Sequence, residues 1–265
     1  MSTAGWVDLD GVANMRDLGG LPTTDGGRIA RHRLLRSDNL QDLTDRDISH
    51  LVDEVGVTDV VDLRSDVELR IEGPGPLQVR GLARHHHHSL FRDDLYTVTA
   101  EDSLVLPWST KVGGDAPPEV KRDDDHWASH YLGYLADRPD SVLAALEVVA
   151  GSAGATIVHC AAGKDRTGTV TGIALSVAGV ADEDVVADYV ASAERVERVV
   201  ARLRARPAYS DALRDQPMEH QVPKPLTMVR ILTVLREQHG GASGWLRDHG
   251  WAESDVHALR ARLRA

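Results

Sequence analysis

Cysteine is almost absent from this 265-residue chain; the single one is Cys160. One thiol excludes an intramolecular disulfide framework and any zinc site built from several cysteines. Positive charge is short as well, with 30 lysines and arginines against 41 acidic residues and a net charge of −11. A surface for nucleic acid or anionic membrane should read basic, so neither partner is expected. No stretch is long and apolar enough to span a bilayer, so no stable membrane insertion is expected. The opening "MSTAGWVDLDGVANMRDLGG" lacks a basic region followed by an apolar core. It therefore shows no signal peptide, which makes a cytoplasmic enzyme the default and export without a recognisable signal the alternative. With 42% hydrophobic and 27% charged residues the composition is that of a globular protein, and the length suffices for a full core.

What is present alternates between strand and helix patterns. "VTDVVDL" (57–63) and "ATIVHC" (155–160) read as buried strands. Ile48, Leu51, Val52 and Val55 share a helical face before the first of them, and Thr44 with Asp47 resembles a capping box. Leu143, Leu146, Val149 and Ala150 suggest a helix starting near Ser141; Val170, Ile173, Ala174 and Val177 trace another, with Gly179 as its stop. "EDVVADYVASAERVERVVARLRA" (183–205) reads as one longer helix with a solvated charged face over 194–206. Met228, Ile231, Leu232 and Leu235 mark a further helix, and Val256, Leu259 and Leu263 a short last one. Strands separated by helices imply an α/β fold, a central largely parallel sheet flanked by helices. With no internal repeat and no obvious linker, residues 1–265 are expected to form a single domain.

Two stretches break this rhythm. Residues 90–130 are acidic, carry a Pro-Pro pair and have weak periodicity. They read equally as a long surface excursion and as a lid over the site. "HHHH" (85–88) is better read as a solvated or site-edge run than as a metal site, because adjacent residues rarely converge on one ion. No metal and no cofactor are expected.

The lone cysteine sits in "TIVHCAAGKDRTGTV" (156–170), between a strand-like run and a helix. A loop in that position is a phosphate cradle: its backbone N–H groups and the helix dipole favour an anion. The same field favours a thiolate. Arg166, six positions after Cys160, offers a two-pronged donor to phosphate oxygens. Gly163 permits the torsions of a tight loop, and Thr167 can donate to the sulfur. Lone cysteines are most often buried filler. Here His159, Cys160, Gly163, Arg166, Thr167 and Gly168 coincide at spacings that filler does not require. A sulfurtransferase cradle does not demand the Arg-Thr-Gly ending, and a nucleotide P-loop would end in Gly-Lys-Ser/Thr, which "GKDRTG" interrupts.

"HCAAGKDRTG" resembles the His-Cys-five-residues-Arg-Thr/Ser-Gly signature of the cysteine-dependent protein tyrosine and dual-specificity phosphatases. More narrowly, the chain is similar to the bacterial tyrosine phosphatase group typified by the secreted mycobacterial phosphatase B. That likeness extends over "NMRDLGG" (14–20), "LLRSDNL" (34–40), "VVDLRS" (60–65) and "GWLRDHG" (244–250). It implies a tyrosine phosphatase-like fold with C-terminal helices. It also implies phosphate monoester hydrolysis through a cysteinyl-phosphate, with phosphorylated proteins or phosphoinositides as substrates. Cys160 would be the nucleophile, and Arg166 with the loop residues Ala161, Ala162, Gly163, Lys164, Thr167 and Gly168 would bind phosphate. A carboxylic acid must protonate the leaving group. Asp165 is a candidate for that role or for orienting Arg166 or the loop, and Asp93 and Asp94 are the rival donors. Lys164 could hold a neighbouring phosphate or merely offset Asp165. Arg64 and Asp66, past a strand end, could reach the site or pair locally. Asn14, Arg16 and Asp17 read as a polar knot bracing the cradle. A phosphate-binding pseudophosphatase without turnover shares these features and is the alternative. The sequence leaves the oligomeric state open.

Overall fold

The computed structural model describes residues 5–92 and 121–265. Asp93, Asp94 and most of the expected excursion lie outside them, and with them the choice between loop and lid. The strands are β1 (Gly5–Trp6), β2 (Arg16–Asp17), β3 (Leu34–Ser37), β4 (Val57–Asp62), β5 (Arg84–His87) and β6 (Ala155–His159). They form one sheet in the order β1-β2-β3-β6-β4-β5. β3, β6, β4 and β5 run parallel, and β1 and β2 add an antiparallel edge. The helices are α1 (Asp45–Ser49), α2 (Asp66–Glu72), α3 (Pro76–Val79), α4 (His126–Asp137), α5 (Pro139–Gly151), α6 (Asp165–Val177), α7 (Asp182–Ala191), α8 (Val196–Arg204), α9 (Ser210–Leu213), α10 (Pro225–His239), α11 (Ala242–Asp248) and α12 (Glu253–Leu263). An α/β fold with a largely parallel central sheet is what the alternating pattern implies.

Every residue of β6 is buried, because helices cover both faces of the sheet. On one face Leu34, Val61 and Val158 pack with Leu146, Ile173, Ile231 and Leu259 of the helical layer. On the other, Leu35, Val60 and Ile157 pack with Ile48, Leu51 and Leu77. The successive residues Leu34 and Leu35, or Ile157 and Val158, thus enter opposite cores, as the two-residue period of a strand demands. α6 runs through the larger core with eleven of its thirteen residues buried, so its first turn is held rigidly at the end of β6.

Local signals explain the other starts and stops. Thr44 and Asp47 close the anticipated capping box at α1, and the chain continues as a π-helical turn over His50–Glu54. Gly179 follows α6 with φ +88°, the left-handed torsion of a helix stop. α5 begins at Pro139, two residues before the expected Ser141. Two expectations need correction. The single helix over 183–205 is broken into α7, a 3₁₀ turn at Ser192–Arg195, and α8. Its periodicity survives the break, but Asn14 and Arg16 both donate to the Ser192 hydroxyl and fix the chain there. The expected irregular stretch also ends early, since α4 starts at His126 on an Asp125 cap whose carboxylate accepts from the Ala128 N–H.

His159 closes β6 and is 2% exposed. Burial lowers its pKa from 6.5 to about 4, outweighing the opposing pull of Asp62. Between those values the unfolded chain binds a proton that the folded chain refuses, so stability falls with acidification by about 1.4 kcal/mol per pH unit. Urea unfolding at pH 7 and pH 5 is expected to differ by about 2 kcal/mol more in the parent than in His159→Gln. An equal difference in the two proteins would contradict this burial of a neutral imidazole.

Candidate active site

Between β6 and α6 the chain turns through Cys160–Lys164, and each carbonyl of residues 161–164 finds a donor in the body of the protein. The Asn39 N–H donates to Ala161 O at 3.0 Å. Asn14 Nδ2 donates to Ala162 O at 2.9 Å and to Gly163 O at 3.2 Å. The Arg36 guanidinium donates to Gly163 O at 2.8 Å and to Lys164 O at 3.3 Å. In a trans peptide the C=O and the next residue's N–H point opposite ways. Outward carbonyls of residues 161–164 therefore turn the N–H groups of residues 162–165 toward the loop interior, the arrangement that binds an anion. Gly163 is required twice over. Its φ is +65°, and a Cβ there would lie 2.4 Å from the Ser37 carbonyl carbon.

A cleft above the loop is lined by Cys160, Ala161, Ala162, Lys164, Asp165 and Arg166, with Tyr134, Leu203, Tyr209, Leu213 and Gln221 as its walls. Six of the nine predicted site residues thus meet at one opening, while Gly163, Thr167 and Gly168 do not line it. Gly168 is needed for packing, since a Cβ would stand 2.9 Å from the Tyr189 ring. Thr167 is fully buried, and its hydroxyl has no hydrogen-bond partner among the described residues, Cys160 included. The apolar side chains Val199, Leu203, Ala208, Tyr209 and Leu213, from α8 to α9, pack with Ala161 and so roof the loop.

Arg166 is aimed by Glu68, a residue the sequence reading did not single out. Their fork is two-pronged, with NH1 to Oε2 at 2.6 Å and NH2 to Oε1 at 2.9 Å, and both side chains are buried. Phe91 lies under the guanidinium at 4.7 Å. Burial is the largest influence on each and would raise the Glu68 carboxyl and lower the Arg166 guanidinium, but the partner's charge and the hydrogen bonds together outweigh it, leaving Glu68 below its ordinary value and Arg166 well above its own. Glu68 is held in turn by a capping box at α2, accepting from the Ser65 N–H at 2.7 Å while its own N–H donates to Ser65 Oγ. The Ser-x-x-Glu signal was legible at 65–68, though it announces only a helix start.

Asp165 accepts from the Tyr131 hydroxyl and pairs with Lys164 Nζ at 3.2 Å. Burial first, and the Asp165 charge second, hold the Tyr131 phenol well above its ordinary pKa, so it stays a donor. Lys164 also lies over the Trp127 ring at 6.0 Å. Arg64 pairs locally with Asp62 at 2.6 Å and Asp66 faces His87 at 3.5 Å, so neither lines the cleft. The histidine run lies on edge strand β5 and just beyond it. His86 meets Asp59 at 2.9 Å and His87 meets the Arg64 carbonyl at 2.7 Å. Among the described residues no cluster of His, Cys, Asp or Glu could hold a metal ion. Of the anticipated polar knot, Asn14 bonds the loop carbonyls and Arg16 bonds Asn14, whereas Asp17 caps the N–H groups of Gly19 and His32.

Comparison with known proteins identifies the family. The chain matches the tyrosine phosphatase family over residues 7–265. It is 27% identical to the triple specificity protein phosphatase PtpB of Mycobacterium tuberculosis, across 97% of this chain and 98% of that protein. A tyrosine-protein phosphatase of Nostoc commune is 31% identical over 128 residues, 44% of this chain and 41% of that protein. The match spans nearly the whole sequence and includes the loop that carries Cys160 and Arg166, and on that basis the chain belongs to the tyrosine phosphatase family, with the activity of a protein-tyrosine phosphatase.

Proposed function

We propose that the chain hydrolyses phosphate monoesters through a phosphocysteine at Cys160, with phosphotyrosine as its first substrate class. The observation that carries this reading is the loop whose carbonyls find donors behind it, beside a buried Arg166 held by Glu68. In the first step the Cys160 thiolate attacks phosphorus, the S–P bond forms and the P–O bond to the leaving group breaks. The loop N–H groups and Arg166 bind the equatorial oxygens and stabilise the charge that develops on them. Asp165 is the sole carboxylate lining the cleft among the described residues, and it is our proton donor to the departing oxygen. In the second step it takes a proton from water as that water attacks phosphorus, which breaks the S–P bond and restores the thiolate.

Lys164 is the basis for extending the substrate class to phosphoserine, phosphothreonine and phosphoinositides. Its ammonium lines the cleft and supplies a cation beside Arg166. The breadth stated in the name of the mycobacterial relative supports the extension. The pairing of Lys164 with Asp165 favours the narrower alternative, a local offset of charge.

Turnover should be measured for the parent, Cys160→Ser and Asp165→Asn on para-nitrophenyl phosphate and on a phosphotyrosine peptide. Cys160→Ser is expected to abolish both activities. Asp165→Asn is expected to cost about 10²–10⁴-fold on the peptide, a poor leaving group, and far less on the activated aryl ester. A parent that binds phosphate without turnover would be a pseudophosphatase. Equal losses on both substrates would make Asp165 an orienting residue. Separately, Lys164→Ala is expected to lower the ratio of phosphoinositide to peptide turnover; an unchanged ratio removes the lipid substrates from the proposal.

A further inference from the structure

Arg16 and Arg36 are each 0% exposed; Arg36 bonds the phosphate loop directly, and Arg16 reaches it through Asn14. They come from paired strands, Arg16 on β2 opposite Arg36 on β3. One carboxylate serves them both: Asp188 of α7 accepts from Arg16 Nε at 2.8 Å with one oxygen and from Arg36 NH1 with the other. Among the described residues every further acceptor of the pair is neutral. Arg16 donates to Asn14 Oδ1 at 2.7 Å, to the Asp188 carbonyl at 2.7 Å and to Ser192 Oγ at 3.1 Å. Arg36 donates to the carbonyls of Gly163 and Lys164. Glu194 is exposed and bonds the indole N–H of Trp6, the ring that lies 5.0 Å from the Arg16 guanidinium.

Two buried cations therefore share one buried anion. Burial first, and then the like charge of Arg36, draws Arg16 down to about 10, against the pull of Asp188 and Glu194, so it remains charged at neutral pH. A surplus of buried charge is costly unless something compensates it. Its position suggests what does. Arg36 grips the carbonyl ends of the two peptides whose N–H ends, those of Lys164 and Asp165, point into the loop. A cation at the carbonyl end polarises a peptide so that its N–H becomes the stronger donor toward an anion.

We propose that Arg16 and Arg36, under-neutralised by the single Asp188, are positioning residues that supply positive charge to the loop from behind and raise its affinity for phosphate. The inference rests on the reading of this loop as a phosphate site. It goes beyond bracing, because bracing needs the donors to the loop carbonyls but not the surplus charge.

Arg16 donates to no loop carbonyl but holds Asn14, whose amide braces two of them, so the roles are separated by comparing a substitution that removes the charge with one that keeps it. The test is competitive inhibition by inorganic phosphate of para-nitrophenyl phosphate hydrolysis, with a melting curve for each variant. Arg16→Gln is expected to weaken phosphate inhibition on the order of tenfold, and Arg16→Lys, which keeps the charge, to stay within about threefold of the parent. An unchanged inhibition constant in Arg16→Gln, or an equal loss in both variants, would overturn the proposal. If Arg16→Gln does not fold, Asp188→Asn carries the test: it removes the anion and is expected to hold or tighten phosphate binding, and a weakening of about tenfold would count against the proposal. A parent with neither phosphate inhibition nor Cys160-dependent turnover would refute the phosphate site itself, and this inference with it. A parent with both, beside an Arg16→Gln that matches it, would refute this inference alone.

Discussion

A loop can bind phosphate through its backbone only if its peptides are all turned one way, and buried carbonyls turned away from the ligand must find donors elsewhere. In this chain the donors are Asn39, Asn14 and Arg36, all drawn from the N-terminal part of the chain and brought to residues 161–164 by the sheet. β3 supplies Arg36 because it pairs directly with β6, with Arg36 opposite Val158. Asn14 is fixed by Asp38, whose carboxylate accepts from the Ala13 and Asn14 N–H groups. The same Asp38 pairs with Arg202 on α8, so the helix that roofs the cleft is tied to the residues that turn the loop. Sheet order, loop orientation and cleft wall are therefore one linked arrangement.

Charge in the cleft is locally paired. Glu68 answers Arg166, and Asp165 answers Lys164. The pairing keeps two cations beside the thiol without leaving either guanidinium or ammonium unsatisfied, and it sets directions that a ligand can use. Because the Glu68 carboxyl titrates below its ordinary value, its contribution to stability is fully present above that ordinary value and is lost progressively as the pH falls from there through the lowered one. Behind the loop the pairing is incomplete, two arginines to one aspartate, and that imbalance distinguishes the back of the loop from its mouth.

The parts legible in the sequence were those with local signatures. The apolar runs at 57–63 and 155–160 announced β4 and β6, the periodicity after Gly168 announced α6, and the spacing of Cys160 and Arg166 marked the loop. The residues that aim and orient the loop were not legible in the same way. Glu68 lies 98 positions from Arg166, and Asp188 lies 152 from Arg36. Nothing local to a helix-capping Glu or a helical Asp reveals a distant partner; the pairing exists only once β3, β4 and β6 are side by side. The break at Ser192 escaped for the same reason, since it depends on Asn14 and Arg16 far upstream. Tyr131 was hidden in a stretch whose aromatic and polar residues mask the start of α4.

The central claim is that this oriented loop presents Cys160 as the nucleophile toward phosphorus. Rapid acid quench of Asp165→Asn during turnover of an activated aryl phosphate, followed by mass spectrometry of the peptide carrying Cys160, tests it most directly. With water activation slowed, the account predicts a phosphate adduct on that peptide and nowhere else in the chain. Turnover that proceeds with no adduct on Cys160, or with the adduct on another residue, would contradict it.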